Sequence, residues 1–400
     1  MRIAFDGTTL TPGRTGVGYY TEHLLAHLAD EVVQTGDELI VLSNQAVETD
    51  RPMAPHVRVH AGHRFPVRLG WMQFRAARAI SAVGADVAHF TNGMMPAGVS
   101  VPTVVTVHDM SLQLYPGCHP VRRLLLNRPL MRTAIRRAGA IVTVSHSTRR
   151  DLLRLHPEVD PGRVVVVHEA AGPGFSPIDD AARLADVRAR YGLPARFLLY
   201  VGTIEPRKNL PRLVSAFAEA RAAGLRHHLV CAGPYGWSSR SLAGHIRRLG
   251  VEAAVHFTGY LRAADLPALY NLSEFFVFPS LYEGFGLPVV EAMACGVPVI
   301  TSNTSSLAEI AGDAALTVDP TMVEALGSAL HRLGSDAALR ADLSARGLAR
   351  ARAFSWAQAA RAMLGAYRRA AGVEASATDA VVDAAPPAIP VPSASPERSL

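Results

Sequence analysis

EFFVFPSLYEGFGLPVVEAMACGVPVITSN, residues 274–303, is the stretch that decides the fold. An apolar run, EFFVF (274–278), opens it, and a second, VPVI (297–300), lies near its end. Between them Gly284 and Gly286 flank Phe285 and mark a loop. Pro288 suits the first position of a helix and Gly296 its C-terminal cap. The spacing predicts a short helix from about Pro288 to Cys295. Glu291 then falls in its first turn, and Glu283, eight residues earlier, on the loop before it.

The alternation extends in both directions. FLLYV (197–201), HLVCA (228–232), AVHFT (254–258) and ALTV (315–318) read as further strands of the same half. RIAFD (2–6), ELIVL (38–42), DVAHF (86–90), TVVTV (103–107), AIVTV (140–144) and VVVV (164–167) form an earlier set. These runs lack strict alternation, as parallel strands covered on both faces should. Helical segments separate them. TGVGYYTEHLLAHLA (15–29) places Tyr20, Leu24, Leu25 and Leu28 on one face. AAGPGFSPIDD (170–180) crowds Gly and Pro between the two sets and reads as a linker. Two doubly wound α/β domains are therefore predicted, residues 1–175 and 176–354. Such sheets bind ligands beyond the C-terminal ends of their strands, so two of them facing one another make a cleft. From residue 372 to 400 the chain is rich in Ala, Pro and Ser, and disorder is expected.

GTIEPRKNL (202–210) carries Lys208, the single lysine among 40 basic side chains. It follows a strand and precedes the helix LPRLVSAFAEA, on the ligand edge of the sheet. A helix start there favours anions, and Arg207 and Lys208 add two positive charges. Taken alone, such a pair is a solvated turn; its position and the absence of other lysines argue for more. The start of the helix after Gly286 is a second place for a phosphate. Carboxylates nearby would repel a phosphate but suit hydroxyls, and a vicinal diol is a good bidentate partner. Glu283 and Glu291 fit one sugar hydroxyl and one ribose.

Composition sets limits. The chain is 49% hydrophobic and 18% charged, with a formal net charge of +6. Between Arg51 and Arg137 stand 12 arginines against two acids, Asp86 and Asp109. WMQFRAARAI (71–80) and VRRLLLNRPLMRTAIRRA (121–138) interleave Arg with apolar residues, a pattern suited either to a solvated helix or to an anionic membrane surface. No nucleic-acid recognition module accompanies the charge. Cys118, Cys231 and Cys295 lack metal spacing, and their odd number speaks against a disulfide framework, so a reducing cytoplasm is expected. No apolar stretch is long enough to span a bilayer.

EGFGLPVVEAMACGVPVI (283–300) resembles the E-x7-E block of the family 4 retaining glycosyltransferases, which have the GT-B fold. VGTIEPRKN (201–209) looks like the first C-domain loop of that family. HDMSLQLYP (108–116) and VTVSHSTRRDL (142–152) are similar to its N-domain loops, and FSWAQAARAML (354–364) to its closing helix. The likeness covers roughly residues 1–370 and extends to the mannosyltransferase-like subgroup acting on cell-surface polysaccharide. It implies an acceptor-binding N-domain, a nucleotide-sugar-binding C-domain, and a helix at 355–371 that packs back on the N-domain. Glu291 would take the ribose and Glu283 a donor-sugar hydroxyl. The amides of Phe285, Gly286 and Leu287 would meet sugar or phosphate, and Lys208 the diphosphate. Tyr260 would border the base. Where the family often has Gly-Arg, this chain has Gly202-Thr203, and Arg207 is expected to compensate. GRTGVG (13–18) would bring Gly16 and Val17 over the donor phosphates or beside the acceptor. His108, at the end of the TVVTV strand, would meet the transferred sugar, with Asp109 shaping the loop.

Hexose transfer from a nucleotide-diphosphate sugar, with GDP-mannose as one candidate donor, to a glycan or lipid-linked acceptor is the expected activity. A departing diphosphate needs its charge neutralised. The chain has no Asp-x-Asp to hold a metal, so Lys208, Arg207 and a helix start are expected to do that work without a cofactor. His108, Lys208 and Glu283 are the catalytic candidates. The alternatives are a sugar-nucleotide epimerase and a sugar-nucleotide-binding protein without turnover. A nicotinamide dehydrogenase is disfavoured, because GRTGVG lacks G-x-G-x-x-G.

Overall fold

The computed structural model describes residues 1–12, 14–61, 67–234, 239–259 and 261–373. Among these, two sheets form, of seven and six strands. The first contains β1 (Arg2–Asp6), β2 (Glu38–Ser43), β3 (Arg58–Ala61), β4 (Val87–Phe90), β5 (Thr103–Val107), β6 (Ala140–Thr143) and β7 (Val164–Val166). Its order is β3-β2-β1-β4-β5-β6-β7. The second contains β8 (Phe197–Val201), β9 (His228–Ala232), β10 (Val255–Gly259), β11 (Phe275–Phe278), β12 (Val299–Ser302) and β13 (Leu316–Val318), in the order β10-β9-β8-β11-β12-β13. Every pairing is parallel.

The composition of the strands explains their burial. TVVTV in β5 and FFVF in β11 are buried at every position, as strands between two helical layers must be. β3 is the strand that the apolar runs did not predict. Its sequence, RVHA, is exposed throughout and lies at the sheet edge, so it is held by its register with β2 rather than by burial.

Strand order reverses between β1 and β4 in one sheet and between β8 and β11 in the other. These switch points are where open α/β sheets leave a crevice for ligands. Lys208 follows β8 and Glu283 follows β11. In the first sheet Gly16 follows β1 and Thr91 follows β4.

The helix Trp356–Ala371 lies against the helix Gly16–Thr35 and beneath β5 and β6. It buries Met363 and Leu364, worth about 1.5–3 kcal/mol each. Tyr367 joins it through its hydroxyl, 2.8 Å from His89 Nδ1. The chain thus leaves the first sheet, builds the second, and returns to the first.

The two halves also meet at the C-terminal ends of their strands. Glu309 of the second half accepts from the amides of His146 (3.0 Å) and Ser147 (2.8 Å), at the start of the helix His146–Leu155. A carboxylate at a helix N-terminus is favoured by the helix dipole. Tyr282 donates to Asp151 at 2.9 Å. Ser145 donates to the carbonyl of Gly284 at 2.6 Å.

Candidate functional site

A locked turn sets the position of the two cations. After β8 the chain makes a single 3-10 turn, Pro206–Lys208, and Asn209 adopts φ 63 before the helix Leu210–Ala222. The buried Asn209 side chain donates to the carbonyls of Pro279 (3.0 Å) and Pro320 (2.7 Å), which ties the turn to the loop after β11. That loop delivers Glu283. Arg207 Nη1 donates to Glu283 Oε2 (2.9 Å) and to the Tyr282 carbonyl (2.6 Å), and its Nη2 to Glu205 (3.0 Å). Lys208 Nζ donates to Glu283 Oε1 (2.8 Å) and lies 4.7 Å from the centre of the Phe278 ring. Burial alone would raise the Glu283 pKa; the charges of Arg207 and Lys208 overcome it and hold the carboxyl below its usual range.

The two cations are not equivalent. Arg207, expected to stand in for the arginine replaced by Thr203, has both Nη atoms committed to protein acceptors. Its Nε is buried without a partner. It braces Glu283 and Glu205 rather than facing outward. Lys208 has three N–H bonds, one of which reaches Glu283. It retains donors for a further anion. Its stem passes Gly202, where an added Cβ would lie 3.8 Å from Lys208 Cε. A planar guanidinium is bulkier in that slot.

The loop after Glu283 is shaped by two close approaches. A Cβ on Gly284 would fall 1.7 Å from the carbonyl oxygen of His108 in the opposite half. Gly286 has φ +110, and a Cβ there would sit 2.7 Å from Leu307. The helix then runs Leu287–Ala294, one residue earlier than its sequence suggested. Pro288 has no N–H and Val289 donates to the Gly286 carbonyl at 2.9 Å, so the Leu287 amide is the one the helix start leaves over. The Phe285 ring is buried against Phe354, edge to face at 5.6 Å. Glu291 lies within the helix and accepts from the Tyr270 hydroxyl at 2.9 Å. Burial raises its pKa to about 7, with the charge of Glu169 adding to the shift.

Across the seam stands His108. Its Nε2 lies 2.8 Å from the carbonyl of Thr91 and its Nδ1 3.2 Å from Glu169 Oε1. Tyr20 meets the ring edge-on at 4.6 Å. Asp109 accepts from the Ser111 amide at 2.8 Å, and the charge of Arg207 helps hold its carboxyl low against the opposing effect of burial.

The structure therefore joins Arg207, Lys208 and Glu283 directly and sets His108 over Gly284. Glu291 lies farther along the helix. Gly16 is exposed at the start of its helix, and its Cβ position is open, with nothing within 4 Å. Tyr260 lies outside the described residues, as does the tail from 374. The sequence reading overlooked Glu169, Tyr270, Tyr282 and Glu309. Glu169 was within reach of the rule that singled out His108, since it too follows a buried strand at its C-terminal end.

Three side chains with metal-binding atoms converge on the seam. His146, His168 and Glu309 place one such atom each within 4.8 Å of one another. Both Glu309 oxygens already accept protein N–H groups, those of His146, Ser147 and the His168 ring.

Comparison with known proteins gives a consistent result. Residues 188–350 match the family model for glycosyl transferases group 1, and residues 15–170 that for glycosyltransferase family 4. The O-antigen chain mannosyltransferase B of Escherichia coli is 32% identical over 387 residues, covering 92% of this chain and 100% of that protein. Among solved structures, sucrose-phosphate synthase from Thermosynechococcus elongatus superposes with a TM-score of 0.72 at 22% identity, over 92% of this chain and 98% of that one. The Anabaena protein HepE, solved with UDP and glucose, gives 0.69 at 18% identity, over 91% and 98%. At such identities these two structures speak to the fold alone, two parallel-sheet domains of the GT-B kind.

Proposed function

The chain belongs to the group 1, family 4 glycosyltransferases, and from that premise we propose that it moves a hexose from a nucleoside-diphosphate sugar to a glycan or lipid-linked acceptor in cell-surface polysaccharide synthesis. Mannose is the first candidate sugar, supported by the E. coli relative named above, and GDP-mannose is the donor proposed to carry it. One observation carries the donor site. A lysine with unused donors, braced beside a buried carboxylate, stands at the β8/β11 switch point near a helix start. An anion and hydroxyls side by side are what a sugar diphosphate presents.

In this proposal Lys208 and the amides of Phe285, Gly286 and Leu287 hold the diphosphate. Glu283 takes a hydroxyl of the sugar, and Glu291 the ribose diol. Attack comes from the face the diphosphate leaves. The bond from C1 to the phosphate oxygen breaks, a bond from C1 to the acceptor oxygen forms, and the acceptor proton passes to the departing phosphate oxygen. Configuration is retained. Positive charge fixed in the cleft does the work of a metal ion.

The test is nucleotide release from GDP-mannose, UDP-glucose and ADP-glucose in EDTA. Release from one donor is expected. An absolute requirement for divalent metal would sink the metal-free account, and no release from any donor would favour a binding protein without turnover.

A second proposal concerns where the protein works. The helix Val121–Arg137 exposes Val121 (70%), Leu125 (71%) and Leu126 (44%) among Arg122, Arg123 and Arg128, with no acidic residue in it. We propose that this face rests on anionic lipid at the cytoplasmic side of the membrane. Among the described residues no helix is long and apolar enough to cross a membrane. Sedimentation with vesicles should depend on anionic lipid; equal recovery with neutral vesicles would overturn the idea.

A further inference from the structure

The environment of His108 defines its protonation. Thr91 offers a carbonyl oxygen to Nε2, and a carbonyl can only accept, so Nε2 carries a proton. Glu169 offers a carboxylate oxygen to Nδ1, so Nδ1 carries one as well. Both partners sit on rigid ground. Thr91 follows β4, and Glu169, only 4% exposed, follows β7. We propose that Glu169 is a positioning residue for the transfer reaction, holding His108 as a doubly protonated imidazolium that serves in the cleft as a fixed positive charge and not as a proton acceptor.

The surrounding groups agree. Burial disfavours the imidazolium, but Glu169, the Thr91 carbonyl and Asp109 outweigh it and hold the His108 pKa above the usual value. Asp109, on the same loop, is itself balanced by Arg207 from the other half. Tyr20 stays neutral, its hydroxyl hydrogen-bonded with Thr106. His89, beneath on β4, is pushed down to about 3 by burial and adds no competing charge. Glu291, electrostatically coupled to Glu169, is raised to about 7. The His108 carbonyl touches Gly284, so the charge lies opposite the loop that carries Glu283.

The inference deepens the donor-site reading and rests on it. A base and a fixed charge fail at opposite ends of the pH scale. A base is lost when protonated, at low pH; the imidazolium is lost when deprotonated, as pH rises through its pKa. Glu169→Gln keeps an acceptor for Nδ1 and removes the charge. The alkaline limb of kcat/KM should then move down by about 1–3 pH units, with activity regained at lower pH. Removing a merely structural contact would lower the melting temperature and leave that limb in place.

The direct readout is 15N NMR of histidine-labelled protein, with His108 identified by its loss in His108→Gln. Both ring nitrogens should be protonated at pH 7 in the parent protein, and one in Glu169→Gln. A neutral His108 in the parent, or an unchanged ring or limb in Glu169→Gln, would overturn the proposal. The NMR result needs no turnover, so it stands even if no donor is found.

Discussion

Glu283 and Glu291 are the same residue type in one short motif, yet their surroundings are opposed. Glu283 meets two cations and is held below the usual carboxylate range. Glu291 meets a tyrosine hydroxyl, and loss of solvent around its carboxyl raises its pKa to about 7. Spacing along the chain says nothing of this difference. It follows from what each site faces: Glu283 the turn after β8, Glu291 the Tyr270 hydroxyl on a neighbouring helix. The Glu283 end suits a ligand whose charge must be balanced during reaction. The Glu291 end suits one that donates hydroxyls and draws a proton off.

The widest separation between the two ends should come from Lys208→Ala. It leaves Glu283 with Arg207 alone and removes the cation with free donors. Turnover should fall about 100- to 1000-fold with the fold intact. Lys208→Arg should not restore it, and a full rescue would show that any cation suffices. Gly284→Ala probes whether the Glu283 end needs the two halves in contact. Its methyl would collide with the His108 carbonyl, so turnover should drop by about 100-fold while nucleotide affinity changes little. Equal losses in both would merge the two ends into one site.

Glu291→Gln should act on binding instead. Losing a charged acceptor for a diol weakens nucleotide binding by about tenfold, roughly 1.5 kcal/mol, with little change in kcat. Proton exchange gives a finer check. With a pKa of about 7, Glu291 carries its proton at pH 6, and a diol donating to the carboxylate expels it. Calorimetric titration in buffers of different ionisation enthalpy should show proton release at pH 6 that fades by pH 8.5. Proton uptake would contradict the assignment.

Stability should show the smallest and most telling contrast. The low pKa of Glu283 contributes stability above the unfolded value, lost as pH falls through the folded one. The raised pKa of Glu291 has the opposite sign: its folded form is favoured when protonated, and that advantage is lost as pH rises through about 7. Glu291→Gln should therefore melt a few degrees above the parent at pH 8 and together with it at pH 5. A lower melting point at pH 8 would place a stabilising charge at Glu291.

Much of the fold was legible because buried parallel strands announce themselves as apolar runs. β3 did not, since an exposed edge strand of RVHA has no such run. Lys208 and Glu283 were legible from composition and position. Their direct contact was not, because it joins loops 75 residues apart. Arg207 reads as a free cation in sequence, and only its neighbours reveal it as a brace. Glu169 was hidden for the same reason: its meaning lies in His108, brought to it by the sheet.

The most direct test of the donor site is a thermal-shift panel with GDP, UDP and ADP in EDTA, on the parent protein, Lys208→Ala and Glu291→Gln. A ligand that binds only the folded state raises the melting temperature by mass action. One nucleotide should raise it in the parent and markedly less in both variants. A panel with no shift, or a shift that persists undiminished in both, would contradict the assignment of the diphosphate to Lys208 and the ribose to Glu291.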